Sequence, residues 1–99
     1  MVIIGKISFL PESANEIAKR FSELPPLPDY MVIKGPYVRG MMEEGIQGIE
    51  IFELNNDKLA RGFKYVTNRY ITFFGIPGFR YTVAPYIEIN EALKMVGLG

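Results

Sequence analysis

Residues 34–54, KGPYVRGMMEEGIQGIEIFEL, alternate between extended and turn-forming chemistry. The first arm reaches back to Tyr30 and spans 30–39, interrupted at Gly35-Pro36, while Gly48 to Leu54 resumes a second extended run. In that second run Ile49 and Ile51 fall on one face and Glu50, Phe52 and Leu54 on the other, because side chains alternate along a strand. Two such runs joined through glycines form an antiparallel hairpin, with GMMEEGIQG, residues 40–48, as its loop. Pro36 has no N–H to give to a ladder, so the first arm belongs at a sheet edge or carries a bulge there. A bulge reverses the facing of everything after it, which leaves the side taken by Tyr37 and Arg39 open at this level.

Upstream, residues 2–10 are rich in β-branched side chains, with Ile3, Ile7 and Phe9 on one face and Val2, Ile4, Lys6 and Ser8 on the other. Both faces are partly apolar, as in a central strand. Ser13 followed by Glu16 has the spacing of a capping box, and Ile17, Phe21 and Leu24 then recur at helical intervals, predicting a helix over 14–24. The segment PPLPDY, residues 25–30, ends that helix, since proline cannot continue the ladder and restricts the residue before it. A P-x-x-P ligand is the other reading of that segment, but its position between a helix and a strand favours a connector.

Downstream, Asn56 offers a cap, and Leu59, Phe63, Val66, Tyr70 and Phe73 repeat at intervals of four, three, four and three. Gly75 is suited to a left-handed helix end and Pro77-Gly78 to a turn. Residues 79–89 alternate as a fourth strand, with Arg80, Thr82, Ala84 and Tyr86 opposite Tyr81, Val83, Pro85 and Ile87. Asn90 then caps a short terminal helix over 91–96, ending at Gly97.

The composition narrows the chemistry. Ninety-nine residues, 48% hydrophobic and 22% charged, fit one domain over 1–99 with a single core. Eleven basic and eleven acidic residues cancel, which removes the electrostatic footprint of a nucleic-acid binder and leaves self-association weakly opposed. The absence of cysteine and histidine excludes disulfides, thiol nucleophiles, the usual zinc sites, His-ligated haem and Ser-His-Asp triads. No metal and no cofactor is therefore expected, and acid-base work falls to carboxylates, Lys, Tyr and hydroxyls. No apolar run approaches the roughly 20 residues a membrane helix needs, and MVIIGKISFL carries Lys6 where a signal peptide would be apolar. A cytoplasmic protein without membrane contact is the expectation.

The order β-α-β-β-α-β predicts an α+β, ferredoxin-like domain: a four-stranded antiparallel sheet, two helices on one face and a short C-terminal helix. Its second face would carry Val2, Ile4, Lys6, Ser8, Glu50, Phe52, Arg80, Thr82, Ala84 and Tyr86, too apolar for water and too polar for a core. On element order, length and this mixed face the chain resembles the dimeric α+β barrel superfamily. The resemblance implies a homodimer whose sheets face one another around a cavity. Members that bind haem or centre on a His-Asp pair are excluded by the missing histidine, whereas cofactor-free monooxygenases are similar in size and in using polar and aromatic cavity residues. The tryptophan often found in their cavities is absent here.

The candidate cavity set is Lys6, Tyr37, Arg39, Glu50, Phe52, Arg80 and Tyr86. Arg39 could grip a carboxylate or phenolate as a rigid fork with Tyr37 donating beside it, or could pair with Glu43 or Glu44 across the hairpin. Lys6, Glu50 and Arg80 could act as a base with oxyanion-stabilising cations, or as an ion-pair cluster that fixes register or a dimer interface. Phe52 and Tyr86 could stack a planar ligand or pack against a partner subunit. Lys58, Arg61, Lys64 and Arg69 on the second helix invite comparison with RNA-recognition motifs, but the first and third strands lack the stacking aromatics, which favours a solvated helix face. The expected function is a ligand-binding or regulatory homodimer for a small molecule. The alternatives are a cofactor-independent enzyme acting on an aromatic or enolisable compound, or a protein-interaction domain.

Overall fold

The computed structural model describes residues 1–43 and 45–98. Its strands are β1 (Val2–Phe9), β2 (Met31–Met41), β3 (Gly45–Leu54) and β4 (Arg80–Tyr86). Its helices are α1 (Ala14–Ser22), α2 (Leu59–Ile71) and α3 (Ile89–Met95), with short 3-10 turns before α1 and α2. The strands form one antiparallel sheet in the order β2-β3-β1-β4. This is an α+β architecture compatible with a ferredoxin-like fold.

Core formation follows the periodicities. Val66, Tyr70 and Phe73 bury one stripe of α2 and its continuation against Ile3 and Phe52 of the two central strands, with Phe9, Ile17, Met31 and Ile76 around them. Phe63, which belongs to the same heptad-like series, lies at the rim and stays half-exposed. The molecule is 18 Å deep in its thinnest direction, the depth of one sheet and one helical layer. The sheet face turned away from α1 and α2 is left uncovered. After β4 the chain leaves Ile89, Met95, Val96 and Leu98 69–75% exposed.

Several local expectations change. The loop expected over 40–48 is shorter, because β2 runs on to Met41 and β3 begins at Gly45, so Gly40, Gly45 and Gly48 lie in strands. Gly48 is there for closeness: a Cβ would stand 3.1 Å from Ile7 Cγ1 on β1. Ser13 does not cap α1; its hydroxyl donates to Pro77 O at 3.1 Å, and Glu16 pairs with Arg20 at 2.9 Å instead of reaching back. Asn56 sits inside the 3-10 turn, where its Oδ1 accepts from the Met1 amino group at 2.8 Å. Asn90 lies within α3, whose cap position is Glu88. For Ser13 and Asn56 a long-range partner takes the side chain that short-range capping would have used.

The bulge expected at Pro36 is present. β2 is an edge strand, the Gly35-Pro36 peptide is cis, and the register shifts between Lys34, opposite Ile51, and Tyr37, opposite Ile49. Three steps along β2 match two along β3, so Lys34 and Tyr37 share a face that regular alternation would have denied them.

Candidate functional site

The register sorts the seven expected cavity residues onto two faces. On the uncovered face, Arg39, Gln47, Ser8 and Arg80 form one cross-strand row, and Tyr37, Ile49, Lys6 and Thr82 the next. Lys34, Ile51, Ile4 and Ala84 follow, then Val32, Glu53, Val2 and Tyr86. Lys6, Tyr37, Arg39 and Arg80 thus lie in adjoining rows of one face, with Tyr86 on the same face two rows beyond. Glu50 and Phe52 do not: they pair with Gly5 and Ile3 and point beneath the helices. In β3 either alternation contains apolar residues and one glutamate, so periodicity cannot choose between them. The choice falls to α2, whose Arg69 and Tyr70 provide the partners that a buried Glu50 requires.

At the basic end of the uncovered face, a concavity of about 350 Å³ lies between Tyr37, Arg39, Gln47, Ile49 and Lys6. A second, of about 170 Å³, adjoins it between Lys6, Ser8, Gln47, Arg80 and Thr82. Arg39 leans inward, donating from Nε to Gln47 Oε1 at 2.9 Å and from Nη2 to Met41 Sδ at 3.4 Å. It makes no ion pair with Glu43, and Glu44, the other expected partner, lies outside the described residues. Because Gln47 accepts from Arg39 through Oε1, the hydrogen-bonding capacity left on its amide NH₂ is that of a donor. Lys6, Arg39 and Arg80 have no ion-pair partner among the described residues. Glu53 is the one carboxylate on these four rows, and Lys34 holds it at 2.9 Å, which raises the lysine's pKa. Tyr86 stands at the far end of the face, beside Val2, away from the cations.

Beneath the helices, Glu50 is gripped from α2. Arg69 Nη2 donates to Glu50 Oε2 at 2.8 Å and Nε to Oε1 at 3.3 Å, while Tyr70 Oη donates to Oε1 at 2.8 Å. The glutamate and arginine side chains are only 5% and 8% exposed. The guanidinium also lies 5.5 Å from the Phe21 ring centre and 5.8 Å from that of Phe52, two cation–π contacts that contain its charge. Gly5 makes the cluster possible, since any side chain there would occupy the space of the Tyr70 hydroxyl. Burial, and then the adjacent Glu50 charge, push the Tyr70 phenol far above its ordinary range, so it remains a donor. Ala14, Ala18 and Phe21 of α1 roof a cavity of about 260 Å³ whose floor is Glu50 and Tyr70.

Arg69 therefore does not belong to a solvated basic face, although Arg61, set 5.2 Å over the Tyr30 ring, and Lys64 do lie on the exposed side of α2. Gln47, Arg69 and Tyr70 were not legible as site residues. The available signal was that Arg69 and Tyr70 are adjacent on the helix with the clearest apolar stripe, where a cation can reach the core. Among the described residues no group of three carboxylates is placed to hold a metal ion, and no helix is long and apolar enough to cross a membrane. The sequence matches no protein-family model and no curated protein sequence.

Proposed function

We propose that this chain is a ferredoxin-like domain that pairs with a second copy through its uncovered sheet face and binds a small oxyanion at the basic end of that face. The observation that carries the reading is the sign of the polar groups there. Lys6, Arg39, Arg80, the Gln47 amide, Ser8, Thr82 and Tyr37 all have protons to donate, and among the described residues no free carboxylate shares their rows. Beyond the cations the face carries an apolar belt of Val2, Ile4, Ile49, Ile51 and Ala84, whose one charged pair, Lys34–Glu53, is internally neutralised. A contiguous belt of this kind favours burial against another surface. The chain's zero net charge leaves a second copy a weakly opposed partner. Three cations brought into an interface need a counter-charge, which an oxyanion such as a carboxylate or phosphate supplies.

An enzymatic reading that joins Glu50 as base to Lys6 or Arg80 as oxyanion stabiliser has no support from the geometry, since the two lie on opposite faces of the sheet. Binding without turnover is the better account.

Light scattering at micromolar protein is expected to give twice the chain mass of 11.2 kDa. Ile51→Glu, which changes only the uncovered face, should yield a folded monomer. Titration calorimetry with benzoate and with inorganic phosphate should show saturable binding of at least one. A wild-type monomer would overturn the pairing and favour docking to another protein, and heatless titrations with both anions would overturn the ligand class.

A further inference from the structure

Helix α1 is fastened at its ends rather than along its length. Ser13 Oγ donates to Pro77 O near its start, and near its end Arg20 Nη1 donates to Thr72 O at 3.0 Å and to Phe74 O at 2.9 Å. Of the helix's own residues only Ile17 is buried, whereas α2 buries Gly62, Val66 and Tyr70. The face of α1 turned to the sheet carries Ala14, Ile17, Ala18 and Phe21, at the i, i+3, i+4 and i+7 positions that face a core. Two of these are alanines, and the strand beneath them offers Gly48, so neither surface reaches across the gap. Interiors normally close such gaps, because a void forfeits contacts on all its walls. Here the polar fastenings hold the helix at a distance and the gap persists.

The walls of this 260 Å³ cavity are apolar except at its floor. There the hydrogen-bonding capacity is of one kind. Tyr70 has spent its proton on Glu50, and Arg69 has turned its donors to the same carboxylate. What remains is acceptor capacity: the phenolic oxygen and the further lone pairs of the carboxylate. The Glu50–Arg69 pair is also neutral as a unit, so the floor offers little net attraction to a charged guest. An anion would meet no free donor beside a carboxylate, and a cation would lose its hydration for a partner already taken. A neutral hydroxyl meets both conditions.

We infer that the cavity beneath α1 is a second ligand site, taking a neutral molecule with a compact apolar body and one hydroxyl group directed at the Glu50–Tyr70 floor. Its volume lies just below the roughly 300–1,000 Å³ of pockets for drug-sized ligands, so the guest is fragment-sized, on the scale of one substituted ring. Phe21, 42% exposed, and Val38, 64% exposed, stand at the mouth and leave a way in. The site is on the opposite side of the sheet from the cation cluster, so it stands whether or not the sheets pair or bind an oxyanion.

Three probes of nearly equal shape separate the possibilities: 4-methylphenol, toluene and 4-methylbenzoate, each titrated into the ¹⁵N-labelled full chain. 4-Methylphenol is expected to shift the amides of Ala18, Phe21 and Phe73, which line this cavity and neither concavity of the other face, saturably and to bind about tenfold more tightly than toluene, the gain of one buried hydrogen bond. 4-Methylbenzoate is expected to leave those amides unmoved, even if it binds at the cations on the other face. Ala18→Leu, at an exposed helical position whose longer side chain fills the roof, should abolish the 4-methylphenol shifts while the chain stays folded. Equal affinity for toluene and 4-methylphenol would overturn the inference, as would tighter binding of 4-methylbenzoate at these amides. So would the absence of saturable shifts with wild type at millimolar probe, or undiminished binding by Ala18→Leu.

Discussion

The two faces of the sheet both hold charge in apolar surroundings, and they neutralise it from different sources. Beneath the helices, Glu50 draws its partners from the chain itself: the Arg69 guanidinium, the Tyr70 hydroxyl and two aromatic rings that enclose the cation. On the uncovered face, Lys6, Arg39 and Arg80 draw on no carboxylate among the described residues. A cluster whose members satisfy one another is bound up with folding. A cluster of like charges with no counter-charge among the described residues is open to an ion from outside the chain. Breaking the first should therefore cost stability, and breaking the second should cost binding alone.

The largest effect should come from Arg69→Met. Methionine keeps much of the apolar length but leaves Glu50 ionised and unpaired in a site where its side chain is 5% exposed. Urea unfolding should show a loss of about 3–5 kcal/mol, and replacing Glu50 by Leu in the same chain should restore a large part of it. A loss below about 1 kcal/mol would mean that water reaches the carboxylate and that the cluster is not the closed unit its geometry describes.

This cluster is also where sequence and structure part company. The order of elements was legible because α2 repeats its apolar residues over four turns and because Gly, Pro or Asn mark most of the junctions. The bulge was legible because Pro36 can occupy a strand only at an edge or an irregularity. The facing of β3 was not: Ile49 and Ile51 look like core and Glu50 does not, yet Ile49 and Ile51 lie on the uncovered side. That inversion rests on contacts about twenty residues away in sequence, from Arg69 and Tyr70, and on Gly5, whose missing side chain makes room for them. Ser13 and Asn56 misled in the same way, since a residue type suited to a helix cap was taken by a distant acceptor or donor. Lys6, Arg80 and Tyr86 nevertheless fell on one face as alternation in β1 and β4 predicts, while Tyr37 and Arg39, whose side the sequence left open, join it through the bulge in β2.

Alkaline pH should distinguish the faces with a smaller effect. The Tyr70 phenol is raised above its ordinary value of 10 by burial and by Glu50. The folded state thus holds this proton more tightly than the unfolded state. Its contribution is fully present below pH 10 and is lost as pH climbs above that value. The loss should run at about 1.4 kcal/mol per pH unit for this one group. Subtracting the profile of Tyr70→Phe from that of wild type isolates it from the other tyrosines and the lysines. Parallel profiles would mean that Tyr70 ionises as freely in the folded chain as in the unfolded one.

The smallest change in stability should accompany the sharpest change in binding. Lys6 is an exposed residue in the middle of a central strand, and it has no ion pair to lose among the described residues. Lys6→Gln keeps the aliphatic stem over Ile49 and Thr82 while removing the charge shared by both concavities. Unfolding free energy should move by no more than about 0.5 kcal/mol. If removal of a like charge relieves repulsion from Arg39 and Arg80, the sign will be a slight gain. Oxyanion affinity measured by calorimetry should fall about tenfold or more, the worth of one charge-assisted hydrogen bond. A variant that loses stability by more than 1–2 kcal/mol would place Lys6 among the groups the fold depends on, and the two faces would then differ in exposure but not in kind. A variant as stable as wild type that binds the oxyanion undiminished would leave the cations as surface charge. Only stability retained together with affinity lost marks the cations of the uncovered face as the groups that meet an oxyanion.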